Sequence, residues 1–169
     1  GANTDSGDRT DMASAGGDAS YPQGLSNAAD FVQVQFRETD DGLRVRVVLE
    51  TLLDPAVPLL GIAFDTDDNN TTGAATLPGS WAPQGTLGVE LLMLLAQDTG
   101  EILRWDGGQW QSVAALAVTV DAGANTLDAT LPAAVAAPGN ATWNVLGVAG
   151  TAAASWLTGA GVIHDLAFV

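Results

Sequence analysis

Directly after an apolar run the chain reads Phe64-Asp65-Thr66-Asp67-Asp68-Asn69-Asn70-Thr71-Thr72-Gly73, which sets side-chain oxygens at the alternate positions 65, 67 and 69. Alternate oxygens converging from one tight loop make a site for a hard cation, and Gly73 lets the chain turn back on itself. Calcium takes roughly six to eight oxygens in flexible geometry, whereas magnesium holds to a stricter octahedron, so calcium is the expected ion. Asp65, Asp67 and Asn69 are its expected ligands. The same residues would also suit a solvated turn, because Asp and Asn are natural turn formers. Crowded carboxylates nevertheless repel one another unless a cation or solvent screens them.

The charge balance points the same way. Twenty Asp and Glu stand against five basic residues, all of them arginine, for a formal net charge of -15. Such a surface repels phosphate backbones and anionic headgroups, so neither nucleic acid nor a membrane is an expected partner. Cysteine is absent, which removes disulfides, thiolate nucleophiles and thiolate metal sites. The longest apolar runs, such as residues 91–96, fall far short of the roughly 18 residues that a membrane span needs. The expectation is a secreted, extracellular chain whose leader has been removed ahead of the polar stretch 1–20.

Catalytic constellations are sparse. The single histidine, His164, sits in an apolar terminal stretch with no Gly-x-Ser-x-Gly elbow elsewhere, and without lysine there is no Schiff-base chemistry. Paired-carboxylate glycoside hydrolysis stays open on sequence alone, since carboxylates are many. They cluster in loops that a cation explains better. The chain is therefore read as non-catalytic.

The elements that must position the acidic loop are short strands. Val32, Val34 and Phe36 alternate with polar residues, as do Leu43, Val45, Val47 and Leu49, on either side of Asp40-Asp41-Gly42, which predicts a hairpin with one wet face. The run 58–64 is continuously apolar and predicts a strand buried on both faces, and 88–96 reads similarly. Two glycines in Trp105-Asp106-Gly107-Gly108-Gln109-Trp110 suit a two-residue turn that would set Trp105 opposite Trp110. With further short strands near 117–120, 127–131, 143–148 and 162–168, about ten strands and no long helix are expected. This predicts an all-β fold, a two-sheet antiparallel, jelly-roll-like sandwich filling one domain over 1–169, with the acidic loop segment 1–20 docked onto it.

The ordered series Gly7-Asp8, Tyr21-Pro22, Ala29-Asp30-Phe31, Phe64-Asp65-Thr66-Asp67 with Gly73, and a late Leu131-Pro132 resembles the DOMON-like group of β-sandwiches, which includes family 9 carbohydrate-binding modules and the glucodextranase-type C-terminal domain. The resemblance implies a calcium ion held between the N-terminal acidic segment and a strand-end loop, which makes Asp8, Asp18 and Asp30 candidate partners of Asp65. It also implies attachment to a secreted, often carbohydrate-active enzyme. Family 9 modules clamp a sugar between two tryptophans, and Trp81 and Trp156, both in loop-like surroundings, are the counterparts here. The resulting expectation is a calcium-binding accessory domain, with a polysaccharide or oligosaccharide as ligand or an adjacent catalytic domain as packing partner.

Overall fold

The computed structural model describes residues 2–4, 28–80, 87–136, 142–159, 161 and 163–168. Among these residues eleven strands form two antiparallel sheets. The five-stranded sheet runs in the order β1 (Ala2–Thr4), β2 (Phe31–Thr39), β3 (Gly42–Leu49), β9 (Thr126–Pro132), β8 (Thr119–Asp121). The six-stranded sheet runs β11 (Ile163–Phe168), β10 (Asn144–Thr151), β4 (Pro58–Asp65), β5 (Leu91–Ala96), β6 (Thr99–Asp106), β7 (Gln109–Ala117). Among the described residues only three-residue 3-10 turns interrupt this all-β architecture.

Alternation decides what each face buries. Val45, Val47 and Leu127 from one sheet meet Leu60, Ile62, Phe64, Met93 and Ile102 from the other in the central core. The five-stranded sheet turns Gln35, Arg44 and Arg46 outward, as its alternating sequence requires. The six-stranded sheet differs because its outer face is also covered. Leu59, Ala63, Leu92, Leu94 and Val148 pack there against Leu77, Val89 and Trp156. All eight residues of β4 are consequently buried, which is why its sequence is a continuous apolar run.

Three expectations meet the structure differently. The Asp-Gly-Gly-Gln connection does close a tight hairpin, with Gly107 and Gly108 both at positive φ and Trp105 paired with Trp110 at a ring separation of 5.5 Å. Residues 2–4 correct the reading of 1–20 as loop, since they form β1 and pair with Gln33 to Gln35. Trp156 corrects the sugar clamp. Its indole is 1% exposed and its N–H donates to the Leu59 carbonyl at 3.2 Å, so no ring face is left for a sugar. Its short 3-10 turn (Trp156–Thr158) is held over the sheet by the apolar pull of the ring, a force that the Ala-, Ser- and Gly-rich flanks do not advertise.

Gly61 makes room for that ring. A Cβ at this position would lie 2.8 Å from Cζ2 of Trp156 and 2.8 Å from a Val148 methyl. Gly61→Ala is therefore expected to destabilise the fold by about 1–3 kcal/mol, as overpacking of a tight core does, and urea unfolding monitored by tryptophan fluorescence checks it.

Candidate metal centre

The acidic loop starts where β4 leaves the sheet. Asp65 ends β4 on the outer face and pairs with Asn144 at the head of β10. On its other side Phe64 pairs with Leu91, so the next step of that register sets Glu90 opposite Asp65. The loop after β4 then folds back, with Asp68 and Gly73 both at positive φ, and carries Asp67 over the same spot. Carboxylate oxygens of Asp65, Asp67 and Glu90 lie within 4.8 Å of one another. Two carboxylates directly opposed across a sheet, with a third above them, are mutually repulsive unless a positive charge sits between them.

Local hydrogen bonds hold each group in place. Asp65 is buried, and its Oδ1 accepts the N–H groups of Asp67 at 3.3 Å and Asn69 at 3.2 Å. Its Oδ2 accepts from the Asn144 amide, which also donates to Asp68 at 2.6 Å. Glu90 Oε2 accepts the Thr66 N–H at 2.8 Å and the Thr66 hydroxyl at 3.1 Å. The Thr72 hydroxyl lies 2.9 and 3.0 Å from the two Asp67 carboxylate oxygens, 2.9 Å from the Asn69 carbonyl and 3.4 Å from Glu90 Oε1. A hydroxyl has one proton to donate, so these contacts gather more oxygen lone pairs than that proton satisfies. Gly73 permits this closeness, because a Cβ there would fall 2.4 Å from Glu90 Oε1.

The arrangement suits a hard cation. Calcium bonds oxygen at about 2.3–2.6 Å, so oxygens on opposite sides of one ion stand up to about 5 Å apart, which the carboxylate separation here does not exceed. Beside the cluster lies a cleft of about 410 Å³, where Asp68 and Asn144 rise over a floor of Ala63, Leu87, Val89 and Leu146.

Of the residues singled out from sequence, the structure brings Asp65 and Asp67 together. Asn69 sits in the same loop, but its side-chain oxygen accepts from the Thr71 N–H at 3.1 Å and the Thr71 hydroxyl at 2.7 Å, so the group it turns toward Thr72 is its carbonyl. Asp30 lies elsewhere. The next residue, Phe31, donates its N–H to Asp165, which pairs with Ala149, and Ala149 is level with Leu60, five residues up β4 from Asp65. At about 3.3 Å per residue that is some 16 Å from the cluster, too far to share an ion. Asp8, Asp18 and Trp81 lie outside the described residues.

Glu90 was not foreseen. Its signal was a lone charge at the head of the otherwise apolar run 88–96, which reads as buried strand until the pairing of β4 with β5 is known. Asn144 and Thr72 carried no signal of their own, because an amide and a hydroxyl in loop-like sequence are unremarkable until the register is known.

The sequence matches no protein-family model and no curated protein.

Proposed function

We propose that Asp65, Asp67 and Glu90 hold a calcium ion and that the chain serves as a non-catalytic, calcium-stabilised accessory domain of a secreted protein. The observation that carries this reading is the convergence of three carboxylates from two neighbouring strand ends within 4.8 Å. Oxygen-only donors favour a hard cation, and the exposed loop, free to adjust its ligands, favours calcium over magnesium. The Asn69 carbonyl and the Thr72 hydroxyl supply further oxygens at the same spot. Extracellular calcium modules work with dissociation constants of roughly 10⁻⁴ to 10⁻³ M, a range within reach of a partly solvated three-carboxylate site. The resemblance to DOMON-like sandwiches, which rests on the short motifs around Asp30, Asp65 and Pro132, accords with an accessory role.

The ion would cancel the repulsion between Asp65 and Glu90 and pin the loop over the ends of β4, β5 and β10. Because an ordered ligand set exists only in the folded chain, calcium binding raises stability by mass action, by about 2.7 kcal/mol at a free concentration of 100 times Kd. For a chain of this size that is a rise in Tm of roughly 5–11 °C. Thermal unfolding in excess EDTA, then in calcium, then in magnesium, tests it: the expected order of Tm is calcium above magnesium above EDTA. Identical midpoints in all three would reduce the cluster to a solvated acidic turn.

A further inference from the structure

We propose that the outer face of the five-stranded sheet binds a hydroxylated carboxylate chain, a uronate-type oligosaccharide, through Arg37, Arg44 and Arg46. Three of the five basic residues in a chain of net charge -15 stand together on this one face, at the opposite side of the sandwich from the carboxylate cluster. Arg37 pairs directly with Arg44 across β2 and β3, and Gln35 pairs with Arg46 in the adjoining row. Like charges directly opposed in a sheet destabilise it, so the fold gains nothing from this pair.

One carboxylate organises two of the three cations. Asp128 on β9, 10% exposed in its side chain, takes Arg44 at 2.9 Å and Arg46 at 3.0 Å. Arg37 is exposed and has no ion pair or hydrogen bond among the described residues. A depression of about 180 Å³ is lined by Gln35, Phe36, Arg37, Arg44, Arg46 and Asp128, and with Asp121 close enough to act on Arg46 it sets three guanidiniums against two carboxylates. That surplus is complementary to an anion, and the planar fork of arginine matches a carboxylate bidentately.

The neighbouring surface says what carries the carboxylate. A second depression of about 500 Å³ shares Arg44 and Asp128 with the first and continues past Thr119, Thr130 and the Asp41 carboxylate over an apolar floor that includes Ala117 and Pro132. Hydroxyls and an acceptor carboxylate over an apolar floor suit the hydroxyl groups and C–H faces of sugar rings, and the arginine seat at one end suits a carboxylate borne on such a chain. The acidic remainder of the molecule does not forbid approach, since charges beyond the Debye length of about 8 Å are screened at physiological salt.

The test is calorimetric titration of the whole chain with galacturonate tetramer, maltotetraose and hexaglutamate in 150 mM salt. EDTA is present, so that no cation bridges ligand to protein, and circular dichroism confirms the fold. Saturable binding of the galacturonate tetramer, weaker by fivefold or more in Arg37→Gln and absent for maltotetraose, is expected. Because Arg37→Gln removes a repulsive charge that has no partner among the described residues, its fold should hold, and an unchanged melting curve verifies that. Equal affinity of Arg37→Gln and the native chain, no binding by the native chain, or binding of hexaglutamate in preference to the tetramer would each overturn the proposal. The EDTA makes the result independent of whether calcium occupies the carboxylate cluster.

Discussion

Trp156→Ala is expected to destabilise the chain by about 3–5 kcal/mol, the cost of deleting a fully buried aromatic side chain from a packed core. The indole fills the outer face of the six-stranded sheet over Gly61 and Val148, with its N–H on the Leu59 carbonyl. Removing it leaves a cavity beside Leu77 and Val89 and strips the Leu59 carbonyl of its side-chain donor. The midpoint in chemical denaturation should fall accordingly, with Tm lower by roughly 6–20 °C. A tryptophan held at the surface to stack on sugar would behave otherwise, since surface substitutions generally stay within about 0.5 kcal/mol. Melting curves of Trp156→Ala therefore separate a packing role from a binding role. A loss below about 1 kcal/mol would contradict the buried indole.

The second large effect belongs to Asp65. Asp65→Ala removes the acceptor for the Asp67 and Asn69 N–H groups and for the Asn144 amide, and it deletes a ligand from the cluster. Leaving such donors unpaired costs about 1–3 kcal/mol even without calcium. In calcium the variant also forfeits the increment of about 2.7 kcal/mol estimated at 100 times Kd, for a total of roughly 4–6 kcal/mol. Glu90→Gln separates the two contributions, because it keeps the shape and an oxygen acceptor toward Thr66 while removing one charge from the repulsive set. In EDTA it is expected to raise Tm slightly, by roughly 1–3 °C, as relief of a like-charge pair does. In calcium it is expected to lower Tm relative to the native chain. This reversal of sign between the two conditions is what a cation site predicts, and a merely structural carboxylate would not show it.

How far the sequence reached depends on which physical signals act locally. Alternation in residues 34–36 and 43–49 set the first hairpin and its wet face, because period-two patterning records burial directly, whereas an irregular register after Phe31 puts Phe31 rather than Val32 in the core. The unbroken apolar run of β4 announced burial on both faces, and the covered outer face of the six-stranded sheet agrees. The turn at Gly107 and Gly108 was legible from the positive φ that only glycine adopts freely. What stayed hidden were contacts between elements distant in sequence. Glu90 joins Asp65 only through the register of β4 against β5, and no local pattern encodes register between strands separated by a long connection. Trp156 read as loop-borne because its flanks are small and polar, yet a single indole has enough apolar area to pull a short turn onto the sheet. Asp30 was tied to the acidic loop by resemblance, whereas the structure sets it beside β11, toward the other end of the strands.

Asp65 and Asp67 were readable because their oxygens alternate within one loop. The Asn69 side chain, third in that alternation, is spent on Thr71 instead. A sequence rhythm of period two presumes an extended backbone, and the left-handed residue Asp68 breaks it. The arginine face was equally present in the text, as Arg37, Arg44 and Arg46. Only the pairing of β2 with β3 shows that Arg37 and Arg44 are directly opposed.

The central claim is that Asp65, Asp67 and Glu90 form a specific calcium site, and calorimetric titration of the folded chain with calcium tests it most directly. A chain with 20 carboxylates attracts calcium diffusely, so the native chain is compared with Asp65→Asn and with Glu90→Gln in the same salt. The native chain is expected to show one saturable calcium site, tighter for calcium than for magnesium, lost in Asp65→Asn and weakened in Glu90→Gln. Absence of saturable binding, or saturable binding that both variants leave unchanged, would contradict it.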